Sequence, residues 1–453
     1  MLSKVQNCLV VVLLVVLLRG ALRAGESPLL PNFVVIMADD LGYGDLGVYG
    51  NRVVRTPNLD RMAREGVYFT NFYAATPTCT PSRAALLTGR YPIRSGLIRV
   101  LHPREPFGLP EDEITLAEAL KARGYATACI GKWHLGDQRR YQPRQHGFDY
   151  FFGLLYSNDM TWKPPNFSRL FLYLNEKRIE SPVKQETLTR RYTEETIEFI
   201  RKNRKSPFFI YVPHTMPHVP LHASSAFRGK SSGGLYGDVV EELDWSVGEI
   251  MRTLMELELD SKTLVTFTSD NGPAVNHPRN GGSAGPLRGG KRTTWEGGVR
   301  VPFVARWPGH IPSGLVQNGM ATAMDLFPTL VHLAGGKTPD DREIDGRDIL
   351  SLLEGDTESP HAAFFYYSGK TICAVRSGNW KLHLARRQFG RLGMGNVEPC
   401  SPPELYDLSA DPGEQRNLVS EHPEIVAWLT ARVEAFSQEV RPGKLLPPWR
   451  PLP

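Results

Sequence analysis

Cysteine is scarce in this 453-residue chain, which has only Cys8, Cys79, Cys129, Cys373 and Cys400. So few, so widely spaced, exclude a disulfide-stapled scaffold. Cys129 sits in an apolar run and reads as a buried thiol, and a Cys373–Cys400 bridge is left open. Long apolar runs are equally rare. The one at Cys8–Leu18 follows Lys4 and precedes Ala21-Leu22-Arg23-Ala24. That is the build of a secretory leader over residues 1–24, and it is too short to span a bilayer comfortably; a signal anchor is the alternative. With no later run of that length, no stable membrane span is expected, and the mature chain is assigned to the secretory pathway, in a lysosome or outside the cell. Excess charge is lacking too. The formal net charge is +5, and losing Lys4, Arg19 and Arg23 with the leader lowers it by three. That leaves too little to argue for nucleic acid as a partner. Repeats and low-complexity tracts are absent.

What is present suits a globular enzyme. An apolar fraction of 41% and a charged fraction of 22% are ordinary for such a protein, and the length accommodates one large α/β domain plus a smaller one. Buried strands are predicted at Asn32–Ala38, Tyr125–Ile130, Pro207–Val212, Thr263–Thr268 and Val301–Trp307. Helices are predicted at Asn58–Gly66, Thr115–Arg123, Thr193–Lys202 and Asp325–Ala334. Another runs through Val240, Leu243, Val247, Ile250 and Leu254, which recur at helical spacing. Residues from Pro143 to about Leu188 read as an irregular, aromatic-rich insertion at a substrate cleft. Asn166-Phe167-Ser168 makes Asn166 a glycosylation acceptor. A polar stretch at Leu353–Pro360 divides a catalytic domain, 25–355, from an α+β subdomain, 356–453. The subdomain is expected to hold strands at Ala362–Tyr367, Ile372–Arg376, Trp380–His383 and Glu404–Leu408, then a helix at Pro423–Val440.

Chemistry-bearing residues gather after strands. Asp39-Asp40 follows the first, and Ser269-Asp270-Asn271 follows the fourth. If these strands are neighbours, Asp39, Asp40, Asp270 and Asn271 form an all-oxygen cage for a hard cation, Ca²⁺ or Mg²⁺. Lys132 and His134 follow the second strand, His214 and His218 the third. A glycine-rich loop, Asn280–Gly298, carries Arg288, Lys291 and Arg292. Each signal alone has an ordinary reading: turn aspartates, solvated or structural histidines, a flexible loop. Cys79 precedes a predicted helix with Thr80 as N-cap, Pro81 in the first turn and Gly89 as stop. The helix's positive end and Arg83 would then converge with Cys79 on one small anion. The ordinary reading is a buried cysteine.

The run Cys79-Thr80-Pro81-Ser82-Arg83, followed by Ala84-Ala85-Leu86-Leu87-Thr88-Gly89-Arg90, resembles the signature of the type I, formylglycine-dependent sulfatases. Asp39-Asp40-Leu41-Gly42-Tyr43-Gly44-Asp45, Thr56-Pro57-Asn58-Leu59-Asp60, Gly131-Lys132-Trp133-His134-Leu135-Gly136 and Ser269-Asp270-Asn271-Gly272 extend the likeness over most of the chain, as does Gly290-Lys291 through Arg300. It is closest to the arylsulfatase A and N-acetylgalactosamine-6-sulfatase group. The resemblance implies an alkaline-phosphatase-like, mostly parallel sheet sandwiched by helices. It implies hydrolysis of aryl or carbohydrate sulfate esters by formylglycine made from Cys79, with one Ca²⁺ held by Asp39, Asp40, Asp270, Asn271 and residue 79. Arg83 would steady the aldehyde hydrate, and Lys132, Lys291 and Ser157 would contact sulfate. His218, a better match than His214, would assist the leaving alcohol with Lys291. His134 would then deprotonate the sulfated hydrate and expel sulfate. Implied partners are a sulfated small molecule, glycolipid or glycosaminoglycan, and the formylglycine-generating enzyme during maturation; homo-oligomerisation is left open. Asn158 stands where close relatives often carry histidine, which opens the sugar or aryl preference. Two alternatives are a phosphoryl hydrolase of the same superfamily and a silent sulfated-glycan-binding protein. The first lacks the expected second set of zinc ligands, and the second would have lost a key residue, yet none is missing.

Overall fold

A computed structural model describes residues 30–160, 169–277, 279–387 and 396–448. The leader at 1–24 and Asn166 lie outside the described residues. The chain order of strands is β1 (Asn32–Ala38), β2 (Val67–Phe69), β3 (Phe72–Tyr73), β4 (Ala126–Lys132), β5 (Tyr150–Leu154), β6 (Leu172–Leu174), β7 (Lys177–Glu180) and β8 (Phe208–Pro213). There follow β9 (Thr263–Ser269), β10 (Phe303–Arg306), β11 (Leu315–Gln317), β12 (Ala321–Thr322), β13 (Phe364–Ser368), β14 (Thr371–Ser377), β15 (Trp380–Arg387) and β16 (Val397–Asp407).

Among the described residues, ten strands form one sheet in the order β11-β2-β10-β9-β1-β8-β4-β5-β6-β7. Its centre, β9-β1-β8-β4-β5, is parallel, and antiparallel pairings flank it at β10 and β6. Alternate side chains of β1 explain the layering. Phe33, Val35 and Met37 enter one apolar cluster with Leu86, Leu116 and Leu326. Val34, Ile36 and Ala38 enter another with Met62, Tyr192 and Val247. Both faces are therefore covered, as parallel strands require. The helices at Cys79–Thr88, Leu116–Lys121 and Leu326–Leu333 lie on the first face; those at Pro57–Arg64, Leu188–Asn203 and Gly234–Glu256 lie on the second. No helix among the described residues is long and apolar enough to cross a membrane.

β13–β16 form a separate antiparallel sheet in sequence order, with the Pro423–Glu439 helix packed on it. The sheet does not stand apart. Tyr73, Tyr91 and Val299 share an apolar cluster with Phe364, Tyr366, Val375 and Leu382.

Two expectations are corrected. The stretch predicted as irregular from Pro143 to Leu188 contains β5, β6 and β7, which extend the main sheet. These strands are three to five residues long, too short for a period to declare itself. Second, Thr80 is not the N-cap. The helix begins at Cys79, and the extended Thr78 precedes it, so Cys79 lies in the first turn. Gly89 ends the helix at φ +70°, its N–H bonded to Ala85 O. Cys79, Cys129, Cys373 and Cys400 are all free; Cys373 and Cys400 sit on β14 and β16, with β15 between them.

Candidate active site

The parallel centre of the sheet delivers the site. β1 and β9 are adjacent and in register, Ala38 opposite Ser269, so Asp39-Asp40 and Asp270-Asn271 leave the same edge side by side. β4 ends at Lys132, β8 leads to His218, and the chain after β5 carries Ser157. Ligand sites of open α/β sheets lie at this carboxyl edge.

The cage residues Asp39, Asp40, Asp270 and Asn271 are almost fully buried. Asp40 holds φ +67°, a costly conformation for a non-glycine residue. It is secured by Asp40 N–H donating to Asp270 Oδ1 at 3.1 Å and Asn271 Nδ2 donating to Asp40 Oδ1 at 2.8 Å. Asp39 Oδ1 and Asn271 Oδ1 are buried and accept no hydrogen bond, although such atoms are nearly always satisfied. Ligand atoms of Asp39, Asp40, Cys79 and His218 all lie within 4.8 Å of one another. Two orphaned oxygens among hard oxygen donors fit a calcium-like cation.

Cations ring this cage. Lys132 Nζ donates to Asp39 Oδ2 at 2.5 Å and Ser157 Oγ at 3.2 Å. Lys291 Nζ donates to Asp40 Oδ2 at 2.7 Å. Arg83, wholly buried, donates through Nε and Nη2 to Asp270 Oδ2 at 2.9 and 2.8 Å and through Nη1 to Lys132 O at 2.8 Å. Its guanidinium thus braces Asp270 and the end of β4. Burial alone would raise the Asp39 carboxyl, but Lys132 and Arg83 outweigh it and hold the group below its ordinary value. Burial likewise opposes Asp40, and Lys291 and His218 overcome it.

Cys79 lines the cleft beside these groups. Burial pushes its thiol up to about 12 despite Lys132 and Lys291. An unmodified thiol here stays protonated at neutral pH and is a poor nucleophile.

The two site histidines are oriented by carbonyls, which only accept. His134 Nε2 lies 3.0 Å from Leu101 O, so Nε2 carries the hydrogen and Nδ1, which has no partner, carries the lone pair. Burial, then Lys132 and Arg83, hold the ring well below its ordinary value, which keeps it neutral. His218 Nδ1 lies 2.5 Å from Val219 O, and Nε2 points at Asp40 Oδ2, 3.6 Å away. His214 is elsewhere: it is fully buried against Tyr192 and Ser246, and burial drives it down to about 3.

The glycine-rich loop is no free surface loop. A Cβ on Gly272 would stand 1.8 Å from Gly297 O, and one on Gly42 2.1 Å from Ser283 O. The loop backbone is packed directly on the cage turns, and glycine is what permits this. The cleft, about 280 Å³, is also walled by Ile98, Val100, Met160, Asp159 and, from the C-terminal sheet, Tyr367 and Arg387. Asp159 was missed by sequence reasoning, although it is two residues from Ser157. Thr80 was misread: its Oγ1 donates to His134 O at 2.9 Å and accepts from Leu101 N–H at 3.2 Å, tying the Cys79 turn to the His134 loop.

Residues 31–336 match the family model described as sulfatase, and residues 359–446 match the C-terminal region of aryl-sulfatase. The chain is 40% identical to N-acetylgalactosamine-6-sulfatase of Sus scrofa, the alignment covering 95% of this chain and 90% of that protein. It is 38% identical to steryl-sulfatase of Mus musculus, covering 95% and 85%. Among solved structures, the PsFucS1 sulfatase from Pseudoalteromonas sp. superposes with a TM-score of 0.82 at 30% identity, over 90% of each chain. Fold, site and relatives together define a sulfuric ester hydrolase. The chain belongs to the sulfatase family.

Proposed function

We propose that this enzyme cleaves aryl or carbohydrate sulfate esters with a formylglycine made from Cys79, beside one Ca²⁺ held by Asp39, Asp40, Asp270 and Asn271. One observation carries the reading: Cys79 and the carboxylates Asp39 and Asp40 meet within 4.8 Å, with two cage oxygens left unsatisfied. Calcium supplies fixed positive charge against which an anionic oxygen is held. Residue 79, once converted and hydrated, would supply an attacking oxygen and a second hydroxyl from which sulfate could be expelled.

The chain's own residues divide the remaining work. Lys132, Lys291 and Ser157 bind the sulfate oxygens, and Arg83 keeps Asp270 and residue 79 in place. With Nδ1–H held by Val219 O, His218 hands a proton towards the leaving alcohol from Nε2, the ring nitrogen aimed at the site, when the ring carries both protons, with help from Lys291. His134 Nδ1, which carries the lone pair, takes the proton whose removal releases sulfate. All ten residues of the Cys79–Thr88 helix are buried, so the modifying enzyme must meet the chain before it folds. The leader and the sequon at Asn166 support passage through the secretory pathway. Substrates are sulfated small molecules, glycolipids or glycosaminoglycans; a structurally similar protein at 30% identity belongs to the metabolism of multiple glycosaminoglycans in Bacteroides thetaiotaomicron.

Peptide mass spectrometry across residue 79 tests the nucleophile. A lighter peptide that reacts with carbonyl reagents and no longer with thiol reagents is expected, as is loss of turnover in Cys79→Ser. Sustained multiple turnover of an aryl sulfate by that variant would refute the assignment.

A further inference from the structure

A second cluster of buried charge lies between the main sheet and the C-terminal sheet. Glu296, Lys381 and Glu414 are each 0% exposed. Lys381 Nζ, on β15, reaches Glu296 Oε1 at 2.9 Å, Glu414 Oε1 at 2.8 Å and Thr294 O at 2.9 Å. Glu296 also accepts from Tyr73 Oη at 2.5 Å and Tyr366 Oη at 2.7 Å. Breaking such a cluster is costly, because each charge depends on the others, yet hydrophobic residues would hold two sheets together as well. The cluster's placement gives it a use.

Glu414 grips both ends of one short segment. Its carbonyl accepts from Arg288 Nη1 at 2.7 Å, and its carboxylate Oε2 accepts from Glu296 N–H at 2.7 Å. Lys381 adds the bond to Thr294 O. Lys291 lies between these anchors. On the catalytic side the segment is held at two points: Lys291 N–H donates to Pro273 O at 2.8 Å and Arg292 N–H to Pro77 O at 2.8 Å. Arg292 sits at φ +71°, a conformation that lasts only where the surroundings enforce it.

We infer that Glu414 and Lys381 are positioning residues for Lys291, so that the C-terminal subdomain sets where this ammonium meets the sulfate ester. The inference rests on the role proposed above for Lys291. A misplacement of the order of 1 Å at a reacting group costs up to about a hundredfold in rate, so a slackened clamp would be felt at the chemistry without touching it.

The test is a double-mutant cycle. Arg288→Met is the first variant, because Arg288 is exposed and its loss removes one anchor without emptying the buried cluster. Glu414→Gln is the second. Each is made with Lys291 intact and with Lys291→Ala, and kcat/KM is measured on an aryl sulfate and a sugar sulfate. With Lys291 present, a fall of about tenfold is expected; with Lys291→Ala, less than about twofold, because coupled residues are not additive. An equal fall in both backgrounds, or none with Lys291 present, overturns the inference while leaving the role of Lys291 intact. A Lys291→Ala enzyme as active as the parent overturns both. If Glu414→Gln fails to fold, the Arg288→Met cycle decides alone.

Discussion

At the scale of single residues, the strongest dependence is between Arg83 and Asp270. Both side chains are fully buried, and two hydrogen bonds join them. Asp270→Ala would leave the buried guanidinium only Lys132 O and the more distant Asp39 Oδ1 at 3.5 Å, which costs about 3–5 kcal/mol, and would also open the cage. We expect lower unfolding free energy in urea together with loss of metal binding and of turnover; full activity in metal-stripped protein would argue against the cage. His146 is the contrasting case, a buried group without a catalytic task. Both ring nitrogens lack partners, the ring stacks on Trp133, and burial lowers it to about 4. The folded state thus disfavours the charged ring, while the unfolded chain protonates it near its ordinary value of 6.5. Stability from this group is complete above 6.5 and is lost as pH falls towards 4. Replacing it by leucine should improve the variant's standing against the parent by about 2 kcal/mol at pH 5 relative to pH 7.5. Denaturation at the two pH values checks this, and an unchanged difference would show the ring to be hydrated.

At the scale of elements, the strands that place the site were legible, and the elements around them less so. β1, β4, β8 and β9 are buried strands; β4 ends on Lys132, and β1, β8 and β9 are followed directly by Asp39, His214 and Asp270. Their short apolar runs located them within two residues, and the residues just past them supplied the candidate ligands. β5 stayed hidden because Gly153 and three consecutive aromatics mask its period, yet it leads to Ser157. Gly153 is there because nothing larger fits: a Cβ would lie 1.8 Å from Gly131 O on the neighbouring strand, a backbone atom that cannot yield. Gly153→Ala should cost about 3 kcal/mol or more and spread β4 from β5, moving Lys132 away from Ser157. A parent-like Tm in that variant would contradict the register. The Glu296–Lys381–Glu414 cluster was illegible for another reason: its members are up to 118 residues apart, and no local pattern marks a partner across that distance.

At the scale of the whole molecule, the ten-stranded and four-stranded sheets do not have independent cores. The cluster joining them includes Tyr73 of β3, Tyr91 just past the Cys79–Thr88 helix, and Val299 just past the end of the glycine-rich stretch, packed on Phe364, Tyr366 and Leu382. Ending the chain at residue 355 would expose this apolar face and strip Glu296 of Lys381 and Arg376, which together with Arg300 hold its carboxyl well below the ordinary value against burial, leaving it Arg300 alone of the three. Exposed apolar patches of this kind drive aggregation. Residues 25–355 expressed alone should therefore collect as aggregate, and any soluble fraction should lack sulfatase activity. Co-expression with residues 356–453 should restore a soluble, active complex if the joint is formed by packing rather than by the covalent link. A soluble, active 25–355 fragment would instead show that the second sheet is an ornament, and that Lys291 finds its place unaided.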